Sequence, residues 1–435
     1  MTATQRILDF AAKEHELPAS VRVDTERLLA DTLAGGTAGA NSPEARLLLP
    51  AVTDWGTSSD ARLLIDDCRL PASSAAFFNG FAIHCLEWDA VHEPAVVHAL
   101  SVVTAALLAA SDHRGGSDAS EFVTALAVGV DIASGLGIAA TGPMAFFRPA
   151  TAGIIGAALA LARLEGLDHD QYGDVLGLAY SYAGGTMQAH VEASIALPLQ
   201  IANAARSAIS AVDLVKAGMN GPHDALEGPF GYGKLIEDID LSKYTQDLGK
   251  IWRISEVSIK PFPSGRASHG ALGALADIRH QQDLSLDDVQ SIELFAPPLI
   301  HRLVGRPFKV AMTPAYARLC LPFLAPMMLR DGIIDPDLFC SEGLSSPELA
   351  ALGEKVKVTL DGSVDTNALA PQRLVVILKN GDRIERQIDA NLGSPEAPMS
   401  KAQSQQKYDL CRRLASDDCD PRIFENPLAY ATEPQ

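Results

Sequence analysis

The stretch Thr151-Ala-Gly153-Ile-Ile-Gly156-Ala-Ala-Leu-Ala-Leu-Ala162 decides the fold class. Its apolar residues recur at helical spacing, yet they are Ala and Gly rather than large side chains. Small side chains let helix axes approach closely, so the segment predicts a compact bundle and not a long coiled coil. It is shorter than the ~20 residues a membrane span needs. The apolar run from Pro94 to Ala110 is also too short and contains His98, so both read as buried helices of a soluble protein.

Helical spacing extends outward over Arg6–His15, Ser20–Leu33, Ser73–Asp89, Ala95–Ser111, Ser120–Gly137 and Leu197–Ala217, punctuated at Gly35-Gly36, Gly115-Gly116, Gly142-Pro143 and Gly221-Pro222. Near residue 255 the period changes. Ser291–Ala296, Val356–Leu360 and the pair Arg373–Lys379 and Asp382–Asp389 alternate apolar with polar, and Asn380-Gly381 predicts a two-residue hairpin. Helices are expected over Ser268–His280 and Ala315–Asp331, and again over Ser400–Ala415. The expectation is a mainly α chain. A large all-helical domain takes residues 1–255 and 392–435, and a smaller α+β domain takes 256–391.

With 435 residues, one to three domains are expected. A net charge of −19 argues against nucleic acid or an anionic membrane as partner, since both need surplus cations. The six cysteines form no C-x-x-C pair, which suits neither a disulfide scaffold nor a zinc site. The charged N-terminus lacks an apolar signal core, so the cytoplasm is the expected location.

Three stretches carry chemistry. His84-Cys85-Leu86-Glu87-Trp88-Asp89-Ala90-Val91-His92-Glu93-Pro94, followed by His98, gathers histidines and carboxylates. His84 and Glu87 share a helix face, Pro94 should end that helix, and His98 should open the next one. A buried His beside carboxylates suits proton transfer, although a solvated loop with one core histidine would look the same. No second half-site supports a metal at His84-x-x-Glu87. In Lys260-Pro-Phe-Pro-Ser-Gly-Arg266-Ala-Ser268-His269, the cations surround a helix start that Ser268 can cap, which makes either a carboxylate-binding patch or merely a capped helix. Arg148, entering the small-residue helix, could fork onto a carboxylate or cap a neighbouring helix. The other seven histidines, His190 among them, lack motif company.

At these stretches the chain resembles the MmgE/PrpD family. The resemblance rests on Arg27-Leu-Leu-Ala-Asp31-Thr-Leu-Ala-Gly35, Asn79-Gly80-Phe-Ala-Ile-His84, Val97-His98, Thr151-Ala-Gly153-Ile-Ile-Gly156, Asn203-Ala-Ala-Arg206, Gly221-Pro222 to Gly228, Lys260–Gly270 and Leu321-Pro-Phe323 to Gly332. Members include 2-methylcitrate dehydratases, cis-aconitate decarboxylases and iminodisuccinate epimerases. The resemblance implies a helical domain with an α+β lid, a homodimer, a small carboxylate substrate, and no metal or cofactor. It further implies His98, Asp89, Glu87 and Lys260 as catalytic residues, with Arg148, Arg266, His269, Leu197 and Phe323 binding substrate.

The site departs from the family pattern. An Asp-hydrophobic-Asp-Asp-Thr loop is replaced by Glu87-Trp88-Asp89-Ala90-Val91, and the Pro after the loop His by Ala99. A His-Pro pair becomes Arg148-Pro149, a Lys becomes Leu197, and a Tyr becomes Phe323. These changes imply a more apolar cavity and a substrate with fewer carboxylates than citrate. The reaction expected is loss of water or carbon dioxide by proton transfer beside a carboxylate. The alternatives are an epimerase or isomerase of a small carboxylate, or a non-catalytic carboxylate-binding relative.

Overall fold

The computed structural model describes residues 1–434. Helix accounts for 56% of the chain and strand for 10%, so the protein is mainly α. The helices that position the site are α1 (Ala19–Ala40), α2 (Ala72–Cys85), α3 (Ala99–His113), α4 (Ala119–Ile138), α5 (Arg148–Leu164) and α6 (Ala196–Lys216). The small-residue helix α5 lies at their centre, every one of its residues buried, against α3, α4 and α6. The close approach is literal: a Cβ added to Gly156 would sit 2.3 Å from the Gly129 carbonyl oxygen of α4. Helix α4 is long and apolar enough to cross a membrane, but 89% of that window is buried inside the bundle.

Buried apolar residues fall into two clusters. The first runs from Ile7 to Val257 and is joined by Cys411, Ile423, Tyr430 and Ala431. The second runs from Ala267 to Ile388. Around the second cluster, α7 (His269–Gln282), α8 (Pro298–Val304) and α9 (Leu321–Asp331) accompany a four-stranded sheet of β1 (Val289–Ala296), β2 (Val356–Leu360), β3 (Gln372–Leu378) and β4 (Arg383–Ile388). The spatial order is β2-β1-β3-β4, with β1 and β2 parallel and the other pairs antiparallel. Leu294 opposes Leu374 and Val376 opposes Ile384, which places the apolar alternation on one face. Helix α10 (Lys401–Leu414) returns to pack on α1.

The β3–β4 hairpin is one residue wider than Asn380-Gly381 predicts. Leu378 N–H donates to Asp382 O at 2.9 Å, so Lys379, Asn380 and Gly381 form a three-residue loop, and Gly381 takes a φ of +94°. A tight turn closed by one left-handed residue is the next commonest solution. Helix α2 also stops well before Pro94: it ends at Cys85 because Glu87 adopts a left-handed φ of +55°.

Candidate active site

The segment between α2 and α3 is an irregular loop held from several sides. Val91 pairs with Ser258, and His92 pairs with Val97 across a turn whose Val96 has a φ of +53°. Left-handed backbone at a β-branched residue is costly and persists only where the surroundings impose it. Here Arg148 imposes it. The Arg148 side chain is fully buried and donates from Nη1 to Ala95 O at 2.7 Å, while Nε reaches Glu237 Oε2 at 2.8 Å and Nη2 bonds Glu237 Oε1. Its fork is therefore closed by Glu237. Arg148 is a positioning residue for the turn before His98, not a free substrate clamp.

On one side of this turn the sequence-expected residues converge. Asp89, fully buried, accepts from His84 Nδ1 at 2.8 Å and lies 3.1 Å from His98 Nδ1. Ser101 Oγ, one turn into α3, donates to the same Asp89 oxygen. The His98 contact is short but poorly aligned, so the Nδ1 atom counts as near an acceptor without a good bond. The two imidazoles meet edge to face, 4.9 Å between centroids. Lys260, far away in sequence and wholly buried, donates to Glu87 O at 2.7 Å, Glu87 Oε2 at 3.3 Å and Ser264 O at 3.3 Å, with Asp89 Oδ1 at 3.7 Å. The left-handed Glu87 turns its carbonyl toward that ammonium.

The environment splits the two imidazoles. Burial opposes protonation of His84, but Asp89 and Glu87 overcome it and raise its pKa above 6.5. For His98 burial wins, aided by Lys260, and its pKa falls below 6.5. Burial also works against Asp89, yet the two histidines hold its carboxyl well below the usual carboxylate range. Glu87, despite burial, is lowered by Lys260 and His84. The array therefore holds a proton more readily at His84 than at His98, with Asp89 between them ionised. Two like groups with pKa values driven apart form an acid/base pair.

His84, Glu87 and His98 line a cavity of about 60 Å³, together with Leu197, Arg266, His190 and apolar walls that include Val96, Met144, Phe147 and Leu319. That volume is well below the ~300–1,000 Å³ of ligand clefts, so substrate entry must move a wall. A larger cleft of about 450 Å³ lies between α1 and α10, but its buried ionisable groups, Asp31 and Lys407, already pair with each other at 2.6 Å. The array of His84, Glu87 and His98 lies at the smaller cavity.

Other expected residues sit differently. Arg266 reaches the cavity, but Glu93 neutralises it at 3.0 Å from Nε and 2.6 Å from Nη2. His269 is buried behind Arg266, accepting at Nδ1 from Arg266 Nη1 and facing Ser264 with Nε2, each at 3.2 Å. Burial and the neighbouring Arg266 put its pKa well below 6.5, so it stays neutral. Ser268 does not cap α7; its hydroxyl donates to Gly265 O. Phe323 packs near Phe308 and Phe339 in the second cluster rather than on the cavity wall. His84, Ser101 and His190 enlarge the expected set. The i, i+3 spacing of His84 and Glu87 signalled the first; nothing local signals the other two.

Through His84, Asp89 and His98, two nitrogens and an oxygen lie within 4.8 Å, the one group of its kind among the described residues that could hold a metal ion. Two features fit a hydrogen-bonded array better: His84 Nδ1 is in direct contact with Asp89, and the Lys260 ammonium stands 3.7 Å from the other oxygen.

Because Glu237 is itself buried, Arg148→Ala should destabilise the fold by about 3–5 kcal/mol, the cost of an uncompensated buried charge. Urea unfolding measures this. A loss under about 1 kcal/mol would mean that the pair is not structural.

The MmgE/PrpD N-terminal domain matches residues 7–242, and the MmgE/PrpD C-terminal domain matches residues 262–422. Human cis-aconitate decarboxylase is 26% identical over 428 residues, covering 92% of this chain and 86% of the relative. The cis-aconitate decarboxylase-like protein oryM of Aspergillus oryzae is 24% identical over 450 residues, covering 97% and 92%. Cis-aconitate decarboxylase of Aspergillus terreus is 22% identical over 437 residues, covering 94% and 89%.

Proposed function

The chain belongs to the MmgE/PrpD family, and on that premise we propose that it is a lyase of the dehydratase/decarboxylase type acting on a small carboxylic acid. The observation that carries the reading is the shared Asp89, which holds His84, with its pKa raised, beside His98, with its pKa lowered, at one cavity. The relatives named as cis-aconitate decarboxylases favour loss of carbon dioxide over loss of water. A cytoplasmic homodimer belongs to the same proposal.

The roles follow from the geometry. In a decarboxylation the C–CO₂ bond breaks, its electron pair delocalises toward the remaining unsaturated carboxylate, and a proton is delivered to carbon. Apolar walls such as Val96, Met144 and Phe147 desolvate the departing carboxylate and suit neutral carbon dioxide. His84 Nε2 is buried with no hydrogen bond, 3.6 Å from Glu87 Oε1, and His84 lines the cavity, so His84 is the proton donor. Among the described residues His98 makes no hydrogen bond through Nε2, and it acts as the base of the pair. Asp89 orients both rings, and Lys260 holds the Glu87–Asp89 segment and offsets its charge. An epimerase needs acid and base on opposite substrate faces; both imidazoles here hang from one carboxylate, which favours the lyase.

The pH profile of kcat/KM tests this assignment. A base with a lowered pKa gives an acid limb below 6.5, and an acid with a raised pKa gives an alkaline limb above 6.5, with activity greatest between them. Carbon dioxide release should be detected with an unsaturated di- or tricarboxylate such as cis-aconitate, while 2-methylcitrate should be turned over poorly. Rapid dehydration of 2-methylcitrate, or a profile without the acid limb, would overturn this reading.

A further inference from the structure

The cations expected to take the substrate's carboxylate are already spent. Lys260 is met by Glu87 and Asp89, Arg266 by Glu93, and Arg148 by Glu237. Arg306 is different. No carboxylate of the described residues lies within 4.0 Å of it, its Nη2 donates to His190 O at 3.1 Å, and its Nη1 is buried with no hydrogen bond among the described residues. Arg306 is half-buried, but a buried guanidinium nitrogen with an unmade hydrogen bond is expensive unless something supplies the acceptor.

Arg306 stands just behind the cavity wall, which its neighbours form. Arg306 follows α8, whose Leu303 is on the cavity wall, and Gly305 bridges to Cys320 beside Leu319, also on the wall. The guanidinium lies over the Tyr316 ring at 4.9 Å, which fixes its plane. His190, whose carbonyl it holds, lines the cavity with a ring that makes no hydrogen bond among the described residues. Burial and Arg306 push the His190 pKa down to about 4, so the ring is a neutral donor beside a permanent cation. Beyond Arg306 the chain is exposed at Pro307, Lys309, Val310 and Ala311, which makes this the wall with least packing to lose when the small cavity enlarges.

We propose that Arg306, with His190 beside it, is the carboxylate anchor of this active site, and that the substrate is a small dicarboxylate with one carboxylate on Arg306 and its reacting end at His84 and His98. The proposal rests on the lyase reading for what happens at the second end. A third carboxylate would meet Glu87, so tricarboxylates should bind less well than dicarboxylates.

Calorimetric titration of the whole chain with maleate, fumarate, cis-aconitate and the neutral diamide of maleate tests the anchor. Arg306→Gln should weaken maleate or fumarate binding by about 30-fold or more, the scale of losing a charge-assisted pair in a closed site. Arg306→Lys should recover part of it, since a point charge keeps the attraction and loses the fork. The diamide should bind weakly and equally to all three proteins, which a merely structural role for Arg306 would not produce. Wild type without affinity for any of these acids, or Arg306→Gln binding them as tightly as wild type, overturns the anchor. Binding through Arg306 without turnover of any acid would keep the anchor and sink the lyase reading instead.

Discussion

His98→Asn should lower kcat by about 10²–10⁴-fold, the usual contribution of one positioned proton-transfer group, while ligand affinity changes little. His98 is only partly enclosed, and its one ion-pair contact among the described residues is Asp89 at 3.1 Å, so Asn can occupy the site without stranding a buried charge. The acid limb of the pH profile should disappear with it, because that limb belongs to the neutral form of His98. A variant that keeps the limb and most of its kcat would remove His98 from the chemistry.

Asp89→Asn should be the most damaging change. The carboxylate contacts His84, His98 and Ser101 and stands near Lys260, so neutralising it misorients both rings at once. Loss of kcat on the order of 10⁴-fold is expected where a histidine loses its orienting carboxylate. His84 loses its largest source of raised pKa, and the alkaline limb should therefore move to lower pH. Stability should change with a definite sign. A carboxyl whose folded pKa is depressed contributes stability above its unfolded value of 3.8, and that contribution is lost as the pH falls through the folded pKa. Asp89→Asn should lack this component of acid unfolding, and near-neutral unfolding should cost less denaturant than in wild type. Unchanged urea midpoints at both pH values would show that the array is not electrostatically coupled to the fold.

How far the residues alone foretell this site depends on the kind of information each part needs. Helix α5 was legible because Ala and Gly at helical spacing state both the period and the closeness of packing. The strands were legible because alternation survives in a one-sided sheet. The loop residues Glu87, Asp89 and His98 could be singled out from spacing, and Lys260 from its turn. What spacing does not carry is partnership across the fold. Glu237 lies far along the chain from Arg148, and Glu93 from Arg266, so two apparent substrate clamps could not be recognised as closed ion pairs. The end of α2 was misjudged for a local reason: a left-handed Glu87 leaves no mark in composition. Phe323 aligned with a site tyrosine, yet the α9 face it occupies packs on Phe308 and Phe339.

The central claim is that the array centred on Asp89 moves a proton to or from carbon beside a carboxylate. Solvent deuterium incorporation reads that step directly. Wild-type protein incubated in D₂O with cis-aconitate and small unsaturated dicarboxylates should place deuterium on carbon in recovered acid or product, and His98→Asn and Asp89→Asn should slow that incorporation alongside kcat. Product formation with no carbon-bound deuterium, or incorporation at the wild-type rate in both variants, would contradict it.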